Sequence, residues 1–236
     1  MLDDIGQPEK ALGYFKKALR NSSVHHDEPV IETGSIYNNI GIVQFKKKNF
    51  KAALESFNRA SEIYVTLLNE KTLKLADVYS NIGVAKKNLG QLEESIIYYN
   101  KALNIYSENL EKPIKQVGRL FGNIGIVHKE KGEYNDAISA QYRAIEILRE
   151  TVNEESPELS LPLLNIGNVF LDQKQPGRAF PYLKKGMVML NFNFDDVNNN
   201  LAYVKHLSYL KKFLNALEEY FQQRRSLTIG NNNYQD

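Results

Sequence analysis

Apolar side chains recur along this chain every three or four residues, the spacing of an α-helix, and they do so in pairs of stripes. In one such pair, Tyr37, Ile40 and Gly41 lie on one helical face. The second stripe of the same pair comprises Phe50, Ala53, Phe57, Ala60 and Tyr64. Residue types that end one helix and begin another separate the stripes: Asn49, Gly90 with Gln91, Gly132 with Glu133, and Gln175 with Pro176. The pattern therefore predicts two helices in each unit.

The pair of stripes repeats with a constant period. The phrase Asn-Ile-Gly occurs four times, and successive glycines are 42 residues apart: Gly41, Gly83, Gly125 and Gly167. Strict periodicity is the mark of a solenoid, in which each unit buries its apolar face only against its neighbours. Small residues such as Gly41, Ala53 and Ala60 are expected where two helices approach closely, while aromatic side chains fill the space beside them.

This arrangement of small and aromatic residues resembles the tetratricopeptide repeat. The family's pattern is an aromatic residue, Leu-Gly, Ala-x3-aromatic and Ala, and the copies here are Tyr37, Ile40-Gly41, Ala53, Phe57, Ala60; Tyr79, Ile82-Gly83, Ser95, Tyr99, Ala102; Phe121, Ile124-Gly125, Ala137, Gln141, Ala144; and Leu163, Ile166-Gly167, Ala179, Leu183, Gly186. Gln141 stands where the family has an aromatic residue. Family repeats are commonly about 34 residues long, and the longer unit here is similar to the kinesin light chain type. The resemblance implies an all-α fold, a right-handed tetratricopeptide superhelix or α-solenoid.

The period also divides the chain into segments of one solenoid domain. One period before Ala53 and Phe57 lie Ala11 and Phe15, so the chain begins with the second helix of a partial repeat. This start indicates either a piece of a longer protein or a partner that covers the apolar face, and we favour the first. An amphipathic stretch after the last repeat is expected to form a cap, followed by a polar tail. The predicted segments are 1–33 (partial repeat and linker), 34–75, 76–117 and 118–159 (repeats), 160–195 (degenerate last repeat), 196–225 (capping helix) and 226–236 (tail).

Composition narrows the possible function classes. The chain has 236 residues, of which 42% are hydrophobic, and 30 basic against 28 acidic residues give a formal net charge of +2. So small an excess of positive charge argues against a nucleic-acid binder held by phosphate contacts. The absence of cysteine excludes a disulfide-stapled secreted scaffold and favours a reducing compartment. Since no signal-peptide pattern and no apolar run of membrane-spanning length occurs, we expect a cytoplasmic protein that binds no membrane.

Sequence patterns of catalysis and of metal binding are missing. The histidines, His25, His26, His128 and His206, form no i, i+4 pair and have no carboxylate at metal-ligand spacing. No Gly-x-Ser-x-Gly elbow, phosphate-binding loop or dinucleotide fingerprint is present. We therefore expect no enzyme activity, no metal and no cofactor.

Asparagine recurs just before the Ile-Gly pair, at Asn39, Asn81, Asn123 and Asn165. Its amide competes for backbone hydrogen bonds, so asparagine is a mediocre residue in the middle of a helix. Two explanations stay open: each amide bonds the neighbouring helix and fixes the register of the repeats, or the four line a concave wall and hold the main chain of an extended peptide. Tetratricopeptide arrays of the kinesin light chain kind use inner-helix asparagines at this position to hold peptide, so the resemblance favours the second explanation.

Neighbouring positions on the same helical faces would supply selectivity among peptides. The lysines among them also lie in the last turn of a helix, where a cation complements the helix dipole, so a solvated helix end is the preferred explanation for them. The candidate peptide-binding residues are Asn38, Asn39, Ile42, Phe45, Asn81, Val84, Lys87, Asn123, Ile126, Lys129, Asn165 and Asn168.

Two functions fit these observations. The first is a protein–protein interaction module that binds an extended peptide or partner segment in the concave groove. The alternative is a regulatory or sensing arm of a larger protein, whose peptidase-like or kinase-like domain lies outside this chain; the start in mid-repeat favours it. In both, the partner is a protein or peptide, and in the second it includes further domains of the same protein.

Overall fold

The computed structural model describes residues 8–25, 31–68, 72–153, 156–190, 211, 214–215 and 217–222. Within these ranges the chain is helical apart from short turns, and no strand occurs in them. None of the described helices has the combination of length and apolar character that a bilayer crossing requires. The chain divides into two compact units, Met1–Lys112 and Pro113–Asp236, here called the first and second units.

In the first unit, the first helix of each repeat packs against the second helix that follows it. Its helices are α1 (Pro8–His25), α2 (Ile31–Lys46), α3 (Phe50–Leu68), α4 (Leu73–Asn88) and α5 (Leu92–Asn109). Helix α2 packs against α3 and α4 against α5, and α3 also packs against α4. Helix α1 packs against α2, where Ala11 and Leu12 join Ile40 and Val43 in one buried cluster. Helix α1 thus covers α2 as a preceding second helix would.

The second unit repeats this arrangement. Its elements are α6 (Lys115–Glu130), α7 (Tyr134–Thr151), a single 3-10 turn (Pro157–Leu159), α8 (Ser160–Asp172) and α9 (Pro176–Met189). Leu159, Leu164 and Leu183 lie at the centre of its core. The predicted capping helix falls mostly outside the described residues, but 211, 214–215 and 217–222 are helical, and the ring of Tyr220 stacks on Phe180 with centroids 5.8 Å apart.

The repeated glycine sets how closely the two helices of a repeat approach. A methyl group placed on Gly83 would lie 2.5 Å from the ring of Tyr99, well inside van der Waals contact. Tyr99 is fully buried, so its ring has no room to withdraw. The prediction that small residues mark close helix contacts is therefore confirmed. The four equally close pairs are Gly41 with Phe57, Gly83 with Tyr99, Gly125 with Gln141 and Gly167 with Leu183.

The two helices of each repeat are joined by the same tight turn. Its left-handed residue recurs every 42 positions, at Lys48, Gly90, Gly132 and Lys174, with φ of 62°, 76°, 80° and 59°. The amide that follows bonds a carbonyl five residues back, as Gln91 does to Lys86 at 3.0 Å, which is the hydrogen bond of a Schellman motif. Glycine adopts this conformation freely, whereas a lysine there bears a steric penalty.

Candidate functional site

The sequence-predicted site lies on the first helices of the repeats, α2 and α4 in the first unit and α6 and α8 in the second. In the first unit two of its asparagines meet across α2 and α4. Asn81 Nδ2 donates a hydrogen bond of 2.9 Å to Asn38 Oδ1, and both side chains are half-buried, whereas Asn39 is exposed. This bond links two consecutive repeats, and the accessible part of each amide can still contact a ligand.

The other candidates of the first unit are apolar or basic side chains on the same two helices. Ile42, Val84 and Lys87 are half-buried. Phe45 packs against Phe50, which begins α3, with ring centroids 5.1 Å apart. These side chains therefore offer partly accessible apolar surface beside the Asn38–Asn81 bond.

In the second unit, the first helices α6 and α8 border a cavity of about 420 Å³. Asn123 and Ile126 from α6 and Asn165 from α8 line it, so three predicted residues from two repeats meet in one place. The sequence-predicted site did not include the remaining lining residues, all of which lie outside the Asn-Ile-Gly phrase. They are Gly118, Arg119 and Gly122 from α6, Gln141 and Leu148 from α7, Glu158 from the 3-10 turn, and Leu161 and Pro162 from α8.

One of three glycines on α6 leaves this space open. A Cβ on Gly118 would lie 2.8 Å from Leu148, and one on Gly125 would lie 2.5 Å from Gln141, so both positions are filled by α7. Between them, a Cβ on Gly122 would meet only Gln141, at 3.8 Å, which is an ordinary contact. Gly122 therefore leaves open the part of α6 that borders the cavity.

The cavity contains buried acceptors that lack donors. Gln141, 1% exposed, donates from Nε2 to the carbonyl of Gly122 at 2.8 Å, which leaves its Oε1 without a hydrogen-bond partner among the described residues. Glu158 Oε1 is bonded by Arg119 at 3.2 Å and Lys115 at 3.4 Å, while its Oε2 is buried and likewise unpartnered within the described ranges. A buried acceptor without a hydrogen-bond partner costs free energy, so these two oxygens favour a ligand that donates hydrogen bonds.

Two predicted residues of the second unit are less available to a ligand. Lys129 forms an ion pair of 2.6 Å with Asp172 at the end of α8. Asn168 is only 7% exposed, and it is more buried than the other predicted site residues. The structure thus brings together Asn123, Ile126 and Asn165 and places Asn168 inside the unit.

His128 has carboxylate neighbours that its sequence spacing did not indicate. Its Nδ1 lies 2.6 Å from Glu133 Oε2, and ligand atoms of His128, Glu133 and Asp136 lie within 4.8 Å of one another. The expectation that no carboxylate lies at metal-ligand spacing from a histidine is therefore corrected at His128, because the tight turn after α6 folds back on that helix. A hydrogen bond from Lys131, and a smaller contribution from the hydrogen bond with His128, hold the pKa of the Glu133 carboxyl below its usual range.

The same positions one repeat earlier explain this cluster. Lys86 and Glu94, which correspond to His128 and Asp136, form an ion pair of 2.6 Å. Such pairs tie the end of a first helix to the start of the second. We therefore interpret the cluster as a structural contact between the end of α6 and the start of α7. The Lys131 ammonium already forms an ion pair with the Glu133 carboxylate.

Comparison with known proteins identifies the repeat. A family model described as "Tetratricopeptide repeat" matches residues 32–108 and 116–189. The chain belongs to the tetratricopeptide repeat family. No curated protein matches the sequence of this tetratricopeptide repeat chain.

Solved structures share the fold of this tetratricopeptide repeat chain. BtubC (BKLC) from P. vanneervenii has a TM-score of 0.70 at 18% identity, over 80% of this chain and 75% of that one. The apo form of RapI has a TM-score of 0.69 at 18% identity, over 97% and 81%. A kinesin light chain protein of Podosopora anserina with nearly identical TPR-like repeats has a TM-score of 0.63 at 13% identity, over 80% and 89%. These findings confirm the all-α tetratricopeptide solenoid, a scaffold for protein–protein interaction.

Proposed function

We propose that this tetratricopeptide repeat chain binds an extended segment of a partner protein along the first helices of its repeats. The observation that carries the proposal is the cavity between α6 and α8, where Asn123, Ile126 and Asn165 from two repeats line one space. The cysteine-free composition fits a reducing compartment, and the proposed location is the cytoplasm.

The two asparagines have the chemistry that a main chain requires. A carboxamide both donates and accepts, as each peptide group does. Asn123 and Asn165 are half-buried, and neither side chain makes a hydrogen bond to a described residue. Packed helices lie roughly 8–10 Å apart, which is about three residues of extended chain. One asparagine in each repeat would thus meet a bound segment at regular intervals.

Neighbouring side chains supply the selectivity. Leu161, 52% exposed, adds apolar surface at the cavity, and Arg119 adds a cation whose guanidinium is half-exposed beside Glu158. Amides that hold a main chain accept many sequences, so these side chains decide which segment binds best. The alternative function, a regulatory arm of a larger protein, would use the same helices and stays a prediction.

The test uses nonapeptides selected from a random library for binding to the whole chain. Asn123→Ala and Asn165→Ala should each weaken their binding by roughly 1–3 kcal/mol, because a backbone group of the peptide loses its partner. Val188→Ala is the matched control, since Val188 is 52% exposed on the second helix α9. Fluorescence polarisation gives the affinities. Equal losses in all three variants, or a loss only in the control, would place the binding face elsewhere.

A further inference from the structure

The second unit lacks an amide that the first unit has at the same repeat position. In the first unit, Asn38 accepts a hydrogen bond of 2.9 Å from Asn81 and so links α2 with α4. Two periods of 42 residues later, the corresponding residues are Gly122 and Asn165. Gly122 has no side chain, so Asn165 has no equivalent of Asn38 to bond. The cavity of about 420 Å³ lies at this place, between α6 and α8.

Two further positions enlarge the same space. Gln141 corresponds to Phe57, and Leu148 corresponds to Tyr64, so two aromatic rings of the first unit are replaced by smaller side chains. Gln141 also adds a polar atom where the first unit has a ring. Its Nε2 must be the atom that faces the Gly122 carbonyl, because a carbonyl only accepts, and its Oε1 is therefore the buried acceptor without a partner in the described residues.

The chemistry of the lining limits what can enter. A carboxylate would meet the acceptors of Gln141 and Glu158. An ammonium or guanidinium would meet the cation of Arg119 and a Glu158 that already pairs with Arg119 and Lys115. A purely apolar group would leave the buried acceptors unbonded. A carboxamide is neutral and both donates and accepts, which is the combination that Asn38 offers in the first unit.

We propose that the cavity between α6 and α8 takes the side chain of an asparagine or glutamine from the bound segment, whose carboxamide replaces the one missing at Gly122. One N–H of Asn165 donates to the guest carbonyl, which leaves the other N–H and the oxygen of Asn165 for the main chain, and the guest N–H donates to Gln141 Oε1. Leu148 and Leu161 contact the methylene groups of the guest. This inference rests on the proposed function, because it names the side chain that the proposed binding face selects.

The test compares pools of nonapeptides with one fixed central residue and mixed flanking residues. The whole chain should bind the pools centred on Asn and Gln about tenfold more tightly than those centred on Leu, Lys or Glu. Gly122→Asn should remove this preference, because it fills the cavity from within. Gly122→Ala is the control for helix propensity. The thermal midpoint of Gly122→Asn should equal or exceed that of Gly122→Ala, although asparagine is the poorer helix former.

The outcomes separate this inference from the function on which it rests. If the pools bind with no preference for Asn or Gln, the carboxamide proposal is wrong and the proposed function stands. If the preference survives in Gly122→Asn, the amide is recognised elsewhere and the proposal is wrong. If no pool binds the chain at all, both proposals fail. Both proposals are supported if the pools centred on Asn and Gln bind more tightly than the others and this preference is lost in Gly122→Asn but kept in Gly122→Ala.

Discussion

Two glycines less than one turn apart on α6 are expected to respond in opposite directions to the same substitution. In Gly125→Ala, the new methyl group would lie 2.5 Å from Gln141 Nε2 and 3.0 Å from the backbone oxygen of Ala137. The side chain can shift, but the backbone oxygen belongs to α7 and moves only with that helix. Overpacking of this kind costs roughly 1–3 kcal/mol, while the better helix propensity of alanine returns about 1 kcal/mol.

In Gly122→Ala, the nearest atom is Gln141 Oε1 at 3.8 Å, so the methyl group enters without displacing anything. The helix-propensity gain of about 1 kcal/mol then remains. Urea unfolding, monitored by the circular dichroism signal of the helices, should show a higher midpoint for Gly122→Ala and a lower one for Gly125→Ala. The dependence of the unfolding free energy on urea concentration should be unchanged. If Gly125→Ala were stabilised as much as Gly122→Ala, α6 and α7 would not approach as closely as described. If Gly122→Ala were destabilised, the wall of the cavity would not be open.

Three further substitutions test other parts of the chain. Asn81→Ala should lower the free energy of unfolding by about 0.5–1.5 kcal/mol through its lost hydrogen bond, and Asn123→Ala should leave it unchanged; equal effects in thermal melts would contradict this. Lys174→Gly should raise the urea midpoint, because it relieves about 1 kcal/mol of strain in the left-handed backbone. An unchanged midpoint would mean that the lysine is not strained in this turn. Burial and a hydrogen bond to Asp77 raise the pKa of Tyr106, so its neutral form is favoured in the fold and stability should fall as the pH rises above about 10. Tyr106→Phe should show a smaller fall between pH 7 and pH 11, and an equal fall would refute this assignment.

The fold could be predicted because it depends on features that recur at one spacing. The period of 42 residues fixed the helix pairs, and glycine at Gly90 and Gly132 indicated the turns between them. Lys48 and Lys174, at the equivalent positions, did not indicate a turn, since a lysine is held in the left-handed conformation by the neighbouring helices and not by its own preference. The cavity could not be predicted either, because it is produced by what Gly122 lacks and by the distance between α6 and α8. Glu158 was missed because it lies in a 3-10 turn outside the repeated phrase.

Departures from the repeat pattern are where selectivity can arise in a solenoid. Units that obey the pattern present similar first-helix surfaces, so a partner gains little by choosing one over another. The third repeat departs at Gln141, where a ring is replaced by an amide, and at Gly122, where a side chain is missing. An unpartnered buried acceptor costs about 1–3 kcal/mol in the free chain. A ligand that bonds Gln141 Oε1 would remove this cost, so we expect stronger binding there than beside Asn38 and Asn81, which already share a hydrogen bond. We therefore expect the third repeat, through Gln141 and Gly122, to discriminate among partners.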